Sequence, residues 1–124
     1  MSRKDGGEGL ARRLPLKPQW FHILLALSRD AQHGSGIVRS VLEETGGKLH
    51  LWPATLYGSL EELAALGCIA EVTEAEERPT GSSDRQRFYR ITADGVSLLN
   101  AEVERLEGLV TMARERLEAG AASS

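Results

Sequence analysis

The sequence predicts a mainly helical α+β fold: three short helices, a two-stranded hairpin and one long C-terminal helix, in that order. Three observations predict it. Apolar residues recur at helical spacing in three short segments, each bounded by proline or glycine. A polar stretch over 74–84, with Pro79, Gly81, Ser82 and Ser83, separates two short strand-like segments. From Leu99 to Leu117 apolar residues alternate steps of four and three, which is an a/d heptad seam.

Residues 1–15 read as a tail rich in glycine and charge, with Arg3, Lys4, Arg12 and Arg13. It is either a solvated end or a basic arm that touches phosphates. Helix one begins near Pro18, because proline has no N–H to leave unsatisfied in a first turn. Trp20, Ile23, Leu24 and Leu27 form its buried face. Asp30 to Gly34 reads as a turn, and helix two follows from Ser35 or Gly36 to Glu44, with Ile37, Val41 and Leu42 or Val38 as its stripe. Thr45-Gly46-Gly47 stops it, Gly46 being able to take the left-handed conformation. After the link Lys48 to Trp52, Pro53 opens helix three, which runs to Leu66 and ends at Gly67. Ile69 to Thr73 and Arg87 to Thr92 are the hairpin strands. Thr92 caps the last helix and Asp94 favours its dipole. The seam Leu99, Val103, Leu106, Val110, Ala113 and Leu117 lies on a helix too long to bury against so small a core, so it predicts self-association as a homodimer.

This order is that of a winged helix-turn-helix with a long C-terminal dimerisation helix. The chain divides into a flexible N-terminal tail over 1–15, a winged helix-turn-helix domain over 16–92, the dimerisation helix over 93–118 and a flexible tail over 119–124. Helix three is then the reader of a major groove and the hairpin the wing. Leu56, Leu60 and Leu63 face the core, which leaves Ala54, Gly58 and Ala65 opposite them and Thr55 and Tyr57 on the flanks. Such a small, polar face lets a backbone approach a groove closely. Glu61 and Glu62 would be repelled by phosphate, so only the N-terminal half is expected to enter. Ser35 on helix two and Lys48 in the link complete the expected contacts there. Arg78, Arg85, Arg87 and Arg90 cluster on the hairpin and suit phosphate contacts, although Glu71, Glu74, Glu76 and Glu77 on the first arm could pair with them instead.

Composition limits the other classes. At 124 residues the chain fits one domain, and its longest apolar run, Ile23 to Leu27, is far short of a membrane span. The N-terminus has no apolar signal segment, and the single cysteine excludes an internal disulfide framework, so a cytoplasmic protein is expected. The net charge of −3 is awkward for a nucleic-acid binder, but the excess is local: basic and acidic residues balance at 12 each through residue 93, and the surplus lies on the terminal helix. His22, His33 and His50 are scattered, Gly34-Ser35-Gly36 is too short for a nucleotide fingerprint, and Cys68 with isolated histidines makes no metal site. No enzyme and no cofactor are expected. Cys68 reads as a small buried apolar residue, and Trp20 and Trp52 as core or dimer packing.

Several segments together resemble the PadR family of transcriptional regulators. They are Gly34-Ser35-Gly36-Ile37, Thr45-Gly46-Gly47, Pro53-Ala54-Thr55-Leu56-Tyr57-Gly58-Ser59-Leu60, then Leu63, Gly67 and Ile69, and finally Arg87-Phe88-Tyr89-Arg90-Ile91-Thr92-Ala93-Asp94-Gly95. The resemblance covers roughly residues 18–117 and is to the branch with a single C-terminal helix. It implies a homodimeric repressor on a palindromic operator in double-stranded DNA, often released by a small phenolic or drug-like effector. Two positions depart from the pattern: Ser35 stands where the family commonly has Tyr, and Ala54 where it commonly has Gly. Residues 96–117 contain no aromatic side chain, so an aromatic drug pocket at the dimer interface does not carry over. The alternative reading is a winged-helix protein-interaction module without DNA binding.

Overall fold

In the computed structural model, residues 9–72 and 87–123 are described. The elements are α1 (Pro18–Leu27), β1 (Gln32–His33), α2 (Gly34–Glu44), α3 (Pro53–Ala65), β2 (Ile69–Val72), β3 (Phe88–Ile91) and α4 (Ala93–Ser123). The expected helices and hairpin strands are all present, with ends shifted by a residue or so except at the C-terminal end of α4. The predicted loop over 74–84 lies outside the described residues.

Local signals set the boundaries. Pro18 and Pro53 open α1 and α3. Thr45 Oγ1 donates to Val41 O at 2.8 Å at the end of α2, and Gly47 N–H reaches Leu42 O at 2.7 Å. That reversal needs positive φ at Gly46 and Gly47, 62° and 80°. His33 caps α2: its Nδ1 accepts from Gly36 N–H at 3.1 Å.

Strand β1 corrects the sequence expectation of a plain turn between α1 and α2. Gln32 pairs with Tyr89 and His33 with Phe88, so the sheet has three antiparallel strands in the order β1-β3-β2. Two residues show no periodicity, and their partner lies far along the chain, so nothing local marks them as a strand. Gln32 is pinned as well through its side chain: Nε2 donates to Ala26 O at 2.8 Å, and Ser40 Oγ donates to Oε1 at 3.0 Å. On the other side of β3, Ile69 to Val72 pair with Ile91 to Phe88.

The core lies between α1, α2, α3, the sheet and the first turns of α4. Ile23, Leu24, Leu27, Ile37, Val41, Leu51, Leu56, Leu60, Leu63, Cys68 and Leu98 are among its fully or nearly fully buried side chains. It also takes in Leu10 and Leu16, from a stretch whose first residues were expected to be tail. Gly95, Leu98 and Glu102 are the buried positions of α4, spaced i, i+3 and i+7. The helix continues to Ser123, past the expected end at 118; Ala119, Ala121 and Ala122 are good helix formers even without packing.

One junction ties the end of α3, the sheet and α4 together. Gly67 turns the chain with φ 78°, and Cys68 N–H reaches back to Leu63 O at 2.9 Å. Thr92 Oγ1 donates to Gly67 O at 2.6 Å and accepts from Gly95 N–H at 3.1 Å, while Thr92 N–H donates to Cys68 O at 3.0 Å. A Cβ built on Gly95 would overlap the Cys68 carbonyl oxygen and come within 2.7 Å of Ile91 Cγ1.

Glu102 holds the N-terminal stretch to α4. Its buried carboxylate accepts from Leu16 N–H at 3.2 Å and from Arg105 Nε and Nη2 at 2.6 and 2.9 Å. The sequence counted Glu102 among the surplus acids of the last helix; here it is 3% exposed and paired. The Arg105 hydrogen bonds, helped by the Leu16 N–H, hold its pKa below the ordinary 4.5 despite burial.

Two outcomes follow from this packing. Gly95→Ala should destabilise the fold by about 1–3 kcal/mol, because the clash is with backbone rather than a movable side chain; the denaturation midpoint in urea measures it. Glu102 has a depressed folded pKa, so its contribution is complete above the unfolded value of 4.5 and is lost as pH falls through the folded one. Glu102→Gln should therefore lower stability at neutral pH and flatten the acid limb of a stability–pH profile.

Candidate nucleic-acid interface

The helix-turn-helix pair is α2 and α3, and the core contacts of α3 decide which of its faces is free. Leu56, Ser59, Leu60 and Leu63 are buried, so Ala54, Thr55, Tyr57 and Gly58 are left exposed at its N-terminal end. A Cβ built on Gly58 would meet no described atom within 4 Å, so that side of the helix is open. Tyr57 leans toward α2: its hydroxyl lies 3.0 Å from where a Cβ on Gly34 would stand. Ser35, next to Gly34, is exposed on the first turn of α2, and Lys48 is exposed in the link. The structure thus brings Ser35, Tyr57, Thr55, Ala54 and Gly58 to neighbouring places on one side of the molecule.

Arg78 and Arg85 lie outside the described residues. Arg87 stands at the foot of β3 with Nε 3.3 Å from Glu71 Oε1 on β2, both side chains well exposed. An exposed pair of this kind is weak and exchanges readily for a stronger anion. Between α3 and the hairpin lies a half-open cavity of about 340 Å³, lined by Tyr57, Leu60, Glu61, Ala64, Glu71, Arg87 and Tyr89.

The acids of α3 divide between two faces. Glu62, expected to face phosphate along with Glu61, is turned toward α1. Its carboxylate accepts from Trp20 Nε1 at 3.4 Å and pairs with Lys17 Nζ at 3.5 Å, and that ammonium sits 4.7 Å from the Trp20 ring centre. Of these two acids it is Glu61 that lines the cavity beside the wing, together with Glu71 of β2.

Sequence reasoning missed two features here. Trp20 is core, but Trp52 is no part of the chain's own core: it is 67% exposed. Pro53 forces Trp52 into extended backbone, with φ −71° and ψ 155°, and Leu51 takes the inward place beside it. On α4, the exposed apolar row begins earlier than the seam read from sequence. Val96, Val103, Val110 and Leu117 are all exposed and recur every seven residues. Leu99 and Leu106 are half-buried and Ala113 is exposed. A shallow groove of about 370 Å³ runs along Val103, Leu106, Glu107, Val110 and Thr111.

Among the described residues no three His, Cys, Asp or Glu side chains group as metal ligands, and no helix is long and apolar enough to cross a membrane. Cys68 is buried, and burial, with Asp94 nearby, pushes its thiol pKa up to about 11, so it is protonated and unreactive at neutral pH.

Comparison with known proteins agrees with this geometry. The family model described as the transcriptional regulator PadR-like family matches residues 23–101. No curated protein matches the chain by sequence. Among solved structures, a transcriptional regulator from Clostridium thermocellum superposes with a TM-score of 0.64 at 22% identity, over 78% of this chain and 87% of that one. RosR of H. salinarum gives 0.57 at 24% identity, over 90% and 94%. BpsR of Bordetella bronchiseptica, whose DNA binding is regulated by 6-hydroxynicotinic acid, gives 0.58 at 19% identity, over 89% and 76%. At these identities the likeness to the solved structures is one of fold.

Proposed function

The chain belongs to the PadR-like family of transcriptional regulators, and on that premise we propose that it is a sequence-specific repressor acting in the cytoplasm as a homodimer on a palindromic operator. The observation that carries this reading is the bare N-terminal face of α3, where Ala54, Thr55, Tyr57 and Gly58 are all exposed. Small side chains allow close approach to base edges; Thr55 suits a thymine methyl or a phosphate, and Tyr57 can donate to a phosphate. Ser35, Lys48 and Arg87 are exposed and would supply backbone contacts, with Arg78 and Arg85 as further candidates from the sequence.

Dimerisation rests on α4. Val103, Val110 and Leu117 are exposed at seven-residue spacing, with Leu99, Leu106 and Ala113 between them. A second copy of the same helix covers such a row by packing a and d side chains against their equivalents. A two-fold pair would set its reader helices about 34 Å apart, one turn of duplex, and a palindrome mirrors that symmetry. Release by a small molecule fits the half-open cavity between α3 and the hairpin, because Tyr57 and Arg87 are among its lining.

Val103→Glu and Val110→Glu should each split the dimer and abolish operator binding; sedimentation that still shows a dimer would place the interface elsewhere. Arg87→Ala should weaken binding to any duplex and reduce the slope of log affinity against log salt by about one. A mobility shift with the gene's own upstream region decides the main question. Failure to bind there, with the dimer intact, would favour a winged-helix module that contacts proteins instead.

A further inference from the structure

The link into the reader helix has an alternation that the DNA-binding assignment does not use. Leu49 is half-buried and Leu51 buried, whereas His50 and Trp52 point outward. Trp52 is extended, with φ −71° and ψ 155°, and the alternating exposure is that of a chain in which every second side chain shares a face. The two outward rings meet, with centroids 4.0 Å apart and planes inclined at 44°. Leu51 anchors the backbone at 2% exposure, and the X-Pro linkage restricts Trp52 to the extended region. The indole is thus held in place while it remains in solvent.

A tryptophan left this exposed forgoes a large burial gain unless something covers it. Its surroundings indicate what that is. Trp52 immediately precedes the first turn of α3, next to exposed Ala54 and Thr55, and Lys48 is exposed on the same link. No aspartate or glutamate occurs from Thr45 to Leu60, in a chain that has 18 of them. With α3 in a major groove, the residues just before its N-terminus lie against the backbone that rims the groove.

We propose that His50 and Trp52 act as a paired aromatic brace, the imidazole supporting the indole edge at a tilt and the indole lying on the deoxyribose of the DNA backbone beside the groove that α3 enters. This deepens the DNA-binding reading and rests on it. The contact is apolar and touches no base edge, so it adds affinity without reading sequence and without releasing counterions. That separates it from Lys48 and Arg87, whose loss changes the salt slope.

The test compares wild type with Trp52→Ala, Trp52→Phe and His50→Ala, using random-sequence duplex DNA and any duplex the protein retains from its genome. Circular dichroism checks that each variant is folded. Trp52→Ala should weaken both complexes by the same factor, about tenfold by analogy with aromatic stacking on nucleotides, with the salt slope unchanged. Trp52→Phe should recover part of the loss, and His50→Ala should reproduce part of it. Acrylamide quenching of wild type, less that of Trp52→Phe, isolates the Trp52 emission; it should be accessible in free protein and shielded when duplex is added.

Unchanged affinity in Trp52→Ala, or indole emission equally accessible with DNA bound, overturns the brace while leaving the regulator reading intact. Shielding that appears on concentrating the protein without DNA also overturns it, since the indole would then face the second copy. Absence of DNA binding by wild type overturns both.

Discussion

The junction around Thr92 sets the relation between the three parts of the molecule. One hydroxyl bridges the carbonyl that ends the α3 turn and the amide that begins α4, and the neighbouring amide takes the Cys68 carbonyl. Only a residue without a side chain fits at Gly95, so α4 starts in contact with the strand that leaves α3. The reader helix, the hairpin and the arm that would join two copies are thereby fixed to one another within a few residues. The proposed mode of binding would depend on that rigidity, because a two-fold pair could match the spacing of a duplex only if each reader were held at a set angle to its arm.

Much of this was legible in the sequence because the signals are local. Pro18, Pro53, Gly46-Gly47 and Gly67 mark helix ends by backbone chemistry, and the Leu56, Leu60, Leu63 repeat fixes which way α3 faces. Thr92 could be read as a cap from its place before Asp94. What could not be read depends on distant partners. Strand β1 exists only because β3 lies beside it. Glu102 looks like any surface acid of a charged helix until Leu16 and Arg105 are seen around it. Trp52 reads from sequence as core or dimer packing, and only the alternation with Leu49 and Leu51, together with the following proline, takes it out of the chain's own core.

The charge arrangement follows the same division. The overall negative charge suggested a surface hostile to DNA, yet Glu62 is engaged with Lys17 and Trp20, and Glu102 with Arg105. The acid-free stretch from Thr45 to Leu60 carries the exposed residues of the reader. Net charge therefore says less about binding than the side on which the unpaired carboxylates lie.

Beyond Leu106 every described side chain of α4 is exposed, so among the described residues no other element buries the outer part of the arm. A helix supported only by its own turns is marginal in water. If a second copy steadies it, then at concentrations where most chains are single the assembled form grows with the square of the chain's abundance, and doubling the abundance raises it about fourfold. A gene switched by such an assembly would respond to the dosage of its regulator more steeply than in proportion, a sensitivity built into an unsupported length of helix rather than into any feature of the operator.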